Sequence, residues 1–180
     1  FLSFFLLTVK TEHKLSNRLF AFFLVLTAID ASAVVFNFFN EYPSNSGMFR
    51  TFIIFLQLPT FYLYVLSVCY SDFKLKPKHL IHILPFLVVN LIFLPRFYMV
   101  DLASKISFLE KRSSRIEIQF NHIFLHLQVI FYIVLVFMIL RRCKKIYLEN
   151  YAGASIKSLN WLFQFTLALS FFYFIALIKN

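Results

Sequence analysis

The chain has 180 residues and a formal net charge of +10, with 61% hydrophobic and 14% charged residues. Soluble globular domains are about 45–50% apolar and about 25% charged, so a soluble chain of this size would lack the polar surface to cover its core. There are only 2 glycines, which excludes a glycine-rich linker and a glycine loop that cradles a nucleotide phosphate. This composition favours an integral membrane protein.

Apolar segments in chain order predict a polytopic bundle of transmembrane helices, so the fold class is all-α. A hydrocarbon core takes about 20 helical residues to cross, and lipid requires every backbone polar group to be paired. The run 130–140 is apolar on every face and lacks the alternation of a barrel strand. We expect a single domain over residues 1–180. The predicted spans are 1–9, 19–40, 51–70, 79–100, 117–140 and 160–178.

The first segment is too short to cross a membrane. It spans only nine residues, begins without Met, and has neither the basic start nor the small-residue cleavage site of a signal peptide. The sequence therefore predicts that the chain begins inside a helix.

Lysines and arginines cluster at the ends of the apolar runs, as the positive-inside rule requires. Eleven of them follow spans one, three and five, and seven lie on the opposite side. We therefore expect the loops 10–18, 71–78 and 141–159 in the cytoplasm, and the N-terminus and Asn180 outside. This interpretation also explains the net charge without a nucleic-acid partner.

Asp30 is predicted to lie near the middle of span two, where a carboxylate costs about 2.5–3.5 kcal/mol on insertion scales. Asn37 is seven residues further on, on nearly the same helical face. The pair is interpreted either as a ligand contact, proton site or switch, or as hydrogen-bonded packing residues. The sequence leaves both interpretations open.

His122 and His126 are spaced i, i+4 on span five, a spacing that can hold two metal ligands. A metal site takes at least three, and no acidic or cysteine partner lies on that helix face. We therefore predict neither a metal nor a cofactor, and keep the histidines as candidate ligand or switch residues. Cys69 and Cys143 form no CxxC and are interpreted as small apolar thiols.

Three prolines, at positions 59, 85 and 95, fall inside predicted spans. Each is expected to kink its helix and to free a carbonyl that a neighbouring group must satisfy. A weak polar stripe of Thr166, Ser170 and Tyr173 on span six is interpreted as helix packing. No catalytic motif such as GxSxG or HExxH occurs, so an enzyme is not predicted.

Two stretches carry a family resemblance. They are FYLYVLSVCYSDFKLKPKHLIHILPF at 61–86, and LRRCKKIYLENY at 140–151 leading to LNWL at 159–162. They resemble the membrane domain of the membrane-anchored AraC-type transcription regulators common in Bacteroidetes. The early LSNRLF at 15–20 also resembles the turn before that family's second helix.

The resemblance implies seven membrane helices followed by a cytoplasmic helix-turn-helix domain. The first helix would be truncated here, and the seventh helix and the DNA-binding domain would lie outside this chain, so no DNA-contacting residue is assigned. The implied location is the bacterial cytoplasmic membrane. The implied partners are the lipid bilayer, a second copy of the chain, an unknown small-molecule or membrane signal, and DNA through the C-terminal domain alone.

Two other functions fit the same pattern. The membrane sensor of a histidine kinase would differ only in the domain that lies C-terminal to residue 180. A small transporter or membrane enzyme would need a continuous polar path across the bundle, with Asp30 opposite a partner from another helix.

Overall fold

The computed structural model describes residues 2–8, 14–39, 42–150 and 157–179. Within these ranges every regular element is helical, so the all-α prediction is confirmed. In the described part of the chain, three helical stretches are long and apolar enough to cross a membrane: Asn45–Cys69, Pro77–Tyr98 and Ile116–Glu149. The helices are α1 (Leu2–Thr8), α2 (Lys14–Ala31), α3 (Ala33–Phe39), α4 (Asn45–Phe52), α5 (Ile54–Cys69), α6 (Leu84–Phe93), α7 (Leu102–Glu110), α8 (Ile116–Asn150) and α9 (Lys157–Lys179).

The second predicted span, 19–40, is interrupted. It forms two helices, α2 and α3, which meet at a turn on Ser32. The hydroxyl of Ser32 donates to the carbonyl of Ile29 at 2.6 Å, and serine competes with helical backbone bonding in this way. The helix also begins five residues earlier than predicted, so Lys14 and Arg18 belong to it rather than to a loop.

The third predicted span, 51–70, corresponds to α4 and α5, which follow each other directly. Ser44 begins α4 by accepting a hydrogen bond from the Gly47 N–H at 3.1 Å, which satisfies one of the free amides of the first turn. Pro59 lies inside α5 and has no N–H to donate to the carbonyl of Phe55, four residues earlier. That carbonyl accepts a bond from the side-chain amide of Gln128 in α8 at 2.8 Å. The expectation that a proline-freed carbonyl finds a neighbouring donor is confirmed here.

The fourth predicted span, 79–100, contains three kinds of helix in succession. A 3₁₀ helix covers Pro77–Ile83, α6 comes next, and a π-helical turn covers Leu94–Tyr98. In that turn the N–H of Met99 donates to the carbonyl of Leu94 at 3.1 Å. Pro85 and Pro95 stand at the starts of α6 and the π turn, where the missing N–H costs least.

Two predicted loops contain helix instead. Residues 101–115 hold α7 and a short 3₁₀ turn, and α8 continues ten residues beyond the predicted end of its span at 140. Lysine, arginine and glutamate are good helix formers, so charge ends the apolar run without ending the helix. Lys145 and Glu149 form an i, i+4 pair at 3.8 Å on this extension. Positions 151–156 lie outside the described residues.

Contacts between the long helices define their relative directions. Between α2 and α5, which are antiparallel, the hydroxyl of Ser16 donates to the carbonyl of Ser67 at 3.2 Å. Helix α8 runs parallel to α5, because Gln128 contacts Phe55 near one end and Cys143 Sγ lies 3.6 Å from the carbonyl oxygen of Cys69 near the other. Both thiols are free. The six-span count and the membrane topology stay predictions.

Candidate functional site: a polar layer between aromatic clusters

A buried glutamine connects three helices. Gln57 on α5 is only 3% exposed. Its Nε2 donates to the carbonyl of Leu26 on α2 at 3.5 Å, and its Oε1 accepts from the hydroxyl of Tyr173 on α9 at 2.7 Å. One amide side chain therefore ties α9 to α5 and reaches the backbone of α2.

Asp30 lies close to this connection, one residue before the end of α2. It is near enough to Tyr173 to interact electrostatically with the phenol. The guanidinium of Arg50 on α4 donates to the backbone carbonyl of Asp30 at 3.4 Å and lies 5.2 Å from the centre of the Phe36 ring. Asp30 was predicted near the middle of span two, and it lies two residues before the Ser32 turn that separates α2 from α3. Asn37 lies on α3, and its side chain is not among those that the structure describes.

A second buried glutamine, Gln128, lies on α8. It is 7% exposed, and its donated bond to Phe55 leaves its Oε1 buried without a described partner. We call Asp30, Gln57, Gln128 and Tyr173 the polar layer. These four side chains come from α2, α5, α8 and α9. They lie at about the same depth, because Tyr173 bonds Gln57, Gln128 bonds the carbonyl of Phe55 two residues away on α5, and Asp30 lies near Tyr173.

Aromatic clusters lie on both sides of the polar layer. Toward the end of the bundle with Lys14, the rings of Phe20, Phe23, Phe61, Tyr64 and Phe165 pack together, with centroids 4.8–6.1 Å apart in successive pairs. Toward the other end lies a second buried cluster. It consists of Phe52, Phe55, Phe86, Val89, Phe93, Phe97 and Phe108. The polar layer thus has a cluster of packed aromatic rings toward each end of the bundle.

The two predicted histidines contact each other on α8. The ring centroids of His122 and His126 are 6.4 Å apart, with the rings nearly perpendicular. His122 is exposed, whereas the Nδ1 of His126 is buried without a described partner. No group of three His, Cys, Asp or Glu side chains able to hold a metal ion occurs in the described part of the chain. His126 precedes Gln128 by two residues, which places it near the depth of the polar layer.

A third histidine forms a hydrogen bond to a side chain of another helix, whereas His122 and His126 share only a ring contact. His82, in the 3₁₀ helix, shares a hydrogen bond of 2.7 Å with the hydroxyl of Tyr132 on α8. Tyr62 packs edge-on against both rings, at 5.3 Å from His82 and 5.7 Å from Tyr132. Nothing in the sequence indicated this contact, because the tyrosine partner is 50 residues away.

The end of the bundle that carries α7 holds a buried charge. Glu117, 8% exposed, pairs with Arg96 at 2.8 Å. The guanidinium of Arg115 lies 5.3 Å from the Phe108 ring. Nearby, a hydrogen bond from Ser104 lowers the pKa of Asp101, at the start of α7. These contacts fix α7 and the π turn to the start of α8.

Replacing Arg96 by alanine is expected to destabilise the fold by about 1 kcal/mol, because a buried carboxylate loses its partner while the exposed guanidinium is partly screened by solvent. Lys145→Ala, which breaks the exposed pair with Glu149, is the matched control and is expected to cost less than about 0.5 kcal/mol. Unfolding by sodium dodecyl sulfate in lipid–detergent micelles, followed by circular dichroism, measures both. Equal losses of unfolding free energy in the two variants would show that the buried pair stabilises the fold no more than the exposed pair does.

Comparison with protein-family models, curated proteins and solved structures finds no match. The resemblance to membrane-anchored AraC-type regulators therefore stays a prediction from the sequence.

Proposed function

We propose that this chain is the membrane sensory and anchoring domain of an AraC-type transcription regulator in the bacterial cytoplasmic membrane. The observation that carries the proposal is the polar layer enclosed by aromatic clusters in a bundle with three membrane-length helices. It supports a domain that transmits a change of helix packing. The family resemblance supplies the output, a helix-turn-helix domain C-terminal to residue 180, and no catalytic role is proposed.

The connection through Gln57 suggests how a signal would travel. Helix α9 is the last described helix, and Tyr173 holds it to α5 through a side-chain hydrogen bond. A signal that binds two packings with different affinity shifts the population between them. Exchange of the Tyr173 phenol between Gln57 and nearby Asp30 would move α9, and with it the domain attached C-terminal to this helix. His122 and His126 remain candidate contacts for that signal.

The aromatic packing on both sides of the polar layer favours a sensor over a transporter. A transporter needs polar groups along the whole path across the membrane. Here the described neighbours on both sides are tightly packed rings, and Phe55 and Phe61 are at most 1% exposed. The sensor of a histidine kinase remains the second candidate, because its membrane domain would need the same properties.

Sequencing of the gene beyond the codon for Asn180 separates these functions. The proposal expects one more apolar helix followed by two helix-turn-helix motifs. The full-length protein, tagged and crosslinked in cells, should then enrich specific DNA fragments from the membrane fraction. A kinase core downstream, or a membrane fraction that enriches no DNA, would contradict the regulator.

A further inference from the structure

We propose that a groove on the outside of the bundle binds an anionic phospholipid. The groove has a volume of about 460 Å³ and lies over α5, between α2 and the 3₁₀ helix that precedes α6. Its lining is almost entirely apolar and includes Phe22, Leu56, Leu63, Leu80, Ile83 and Phe86. The inference requires that the chain lies in a membrane, which is part of the proposed function, but not that it regulates transcription.

The length of the groove suits an acyl chain. It runs along the protein from Pro77 to Phe86. Seven 3₁₀ residues at about 2.0 Å and three α-helical residues at about 1.5 Å give a length of roughly 18 Å. Half of a hydrocarbon core of about 30 Å is roughly 15 Å, which is the depth that the acyl chains of one leaflet occupy.

The exposure of the lining residues indicates that the groove is accessible from the side. Phe22 is 50% exposed and Leu80 is 64% exposed. The floor is fixed, because Pro59 and Thr60 of α5 are buried and His82 is held by Tyr132. A preformed apolar surface of this kind can order an acyl chain without rearranging.

The mouth of the groove supplies the charge that a lipid phosphate needs. Lys76 lines the groove, and Lys74 and Lys78 are exposed two residues to either side of it, with Asp72 as the one carboxylate of the segment 72–78. The backbone N–H of Lys76 donates to Nδ1 of His79 at 2.9 Å, so the neutral ring carries its proton on Nε2 and can donate it. Basic pockets at the cytoplasmic ends of membrane helices bind anionic headgroups. Three lysines and an imidazole donor thus favour a phosphate with net negative charge over a zwitterionic headgroup.

Quenching of tryptophan fluorescence by brominated lipid tests the proposal on the chain reconstituted in vesicles. The only tryptophan of the sequence, Trp161, is first replaced by phenylalanine. One variant then carries Phe22→Trp in the groove, and the control carries Phe131→Trp on α8. Both positions are half exposed and lie at similar depth, because Phe23 packs on Phe61 while Tyr132 packs on Tyr62.

The vesicles contain phosphatidylcholine with a minor fraction of phosphatidylglycerol, and the bromine is placed on one lipid or the other. In the F22W variant, we expect brominated phosphatidylglycerol to quench several-fold more than its mole fraction predicts. In the F131W control, quenching should match the mole fraction. Adding Lys76→Gln and Lys78→Gln should abolish the preference in F22W while total quenching by the two lipids stays the same.

Quenching in F22W that matches the mole fraction would overturn the proposal. So would an absence of quenching in F22W alone, which is expected if a protein segment or a second copy of the chain fills the groove. If neither variant is quenched by either lipid, the membrane location itself is wrong, and the proposed function fails together with the lipid site.

Discussion

Replacing Phe55 by alanine is expected to lower the free energy of unfolding by about 3 kcal/mol, at the low end of the 3–5 kcal/mol typical of buried phenylalanines. Phe55 is 0% exposed, and its ring stacks on Phe124 with centroids 5.7 Å apart. Lipid removes part of the hydrophobic driving force, but the void left by the ring still forfeits its van der Waals contacts. Unfolding by sodium dodecyl sulfate in lipid–detergent micelles measures the loss.

The control for this prediction is Phe172→Ala. Phe172 is 69% exposed, so its removal leaves no internal cavity and should change the unfolding free energy by less than about 0.5 kcal/mol. Similar losses for the two variants would show that Phe55 does not occupy a packed layer.

Replacing Gln128 by alanine is expected to cost about 2 kcal/mol, because the carbonyl of Phe55 would then have no donor. Pro59 is the cause of this dependence, since a proline at that position cannot supply the helical N–H. In a Pro59→Ala background the backbone N–H of residue 59 can donate to that carbonyl instead. Gln128→Ala should therefore cost about 1 kcal/mol less in this background than in the native chain.

A double-mutant cycle over the two positions isolates this coupling from the simple loss of packing. Additive effects of Pro59→Ala and Gln128→Ala would mean that the bond between Gln128 and the Phe55 carbonyl does not stabilise the protein. Leu127→Ala is a suitable neighbouring control, because Leu127 is 62% exposed and should show no coupling to Pro59→Ala.

Hydropathy was sufficient to predict an all-α chain and the approximate places of the long helices. It could not predict helix where polar residues dominate. The segment 101–115 resembles a loop in sequence because its charged side chains mask the amphipathic helix α7, whose Phe108 is buried. Span five was likewise predicted to end at Leu140, where the charged residues begin, although α8 continues to Asn150.

The candidate site was predicted only in part. Asp30 was predicted as a candidate because a carboxylate is costly in lipid, and the structure places it beside the connection between Tyr173 and Gln57. Gln57 and Gln128 were missed, because a single amide in an apolar run carries little signal. Their partners are 116 and 73 residues away in sequence, so only the packed helices bring them together. Pro59 was the one local signal, since a proline in a span indicates a carbonyl that needs a donor.

Tyr173 shows why a helical stripe alone is a weak guide to function. Thr166, Ser170 and Tyr173 share one face of α9, and all three were expected to serve packing. Thr166 is 2% exposed, and the hydroxyls of Thr166 and Ser170 each donate within α9 to the carbonyl four residues earlier, at 2.7–2.8 Å. Tyr173 is long enough to reach across to α5, and this difference in reach makes it part of the polar layer.

A polytopic membrane domain with residues 71–78 and 141–159 in the cytoplasm is tested most directly by a topology map. Reporter enzymes are fused after Lys78, Arg115 and Tyr151, using one reporter that is active only in the cytoplasm and one that is active only outside it. The fusions after Lys78 and Tyr151 should report the cytoplasm, and the fusion after Arg115 should report the outside. A cytoplasmic signal from the Arg115 fusion would contradict this topology.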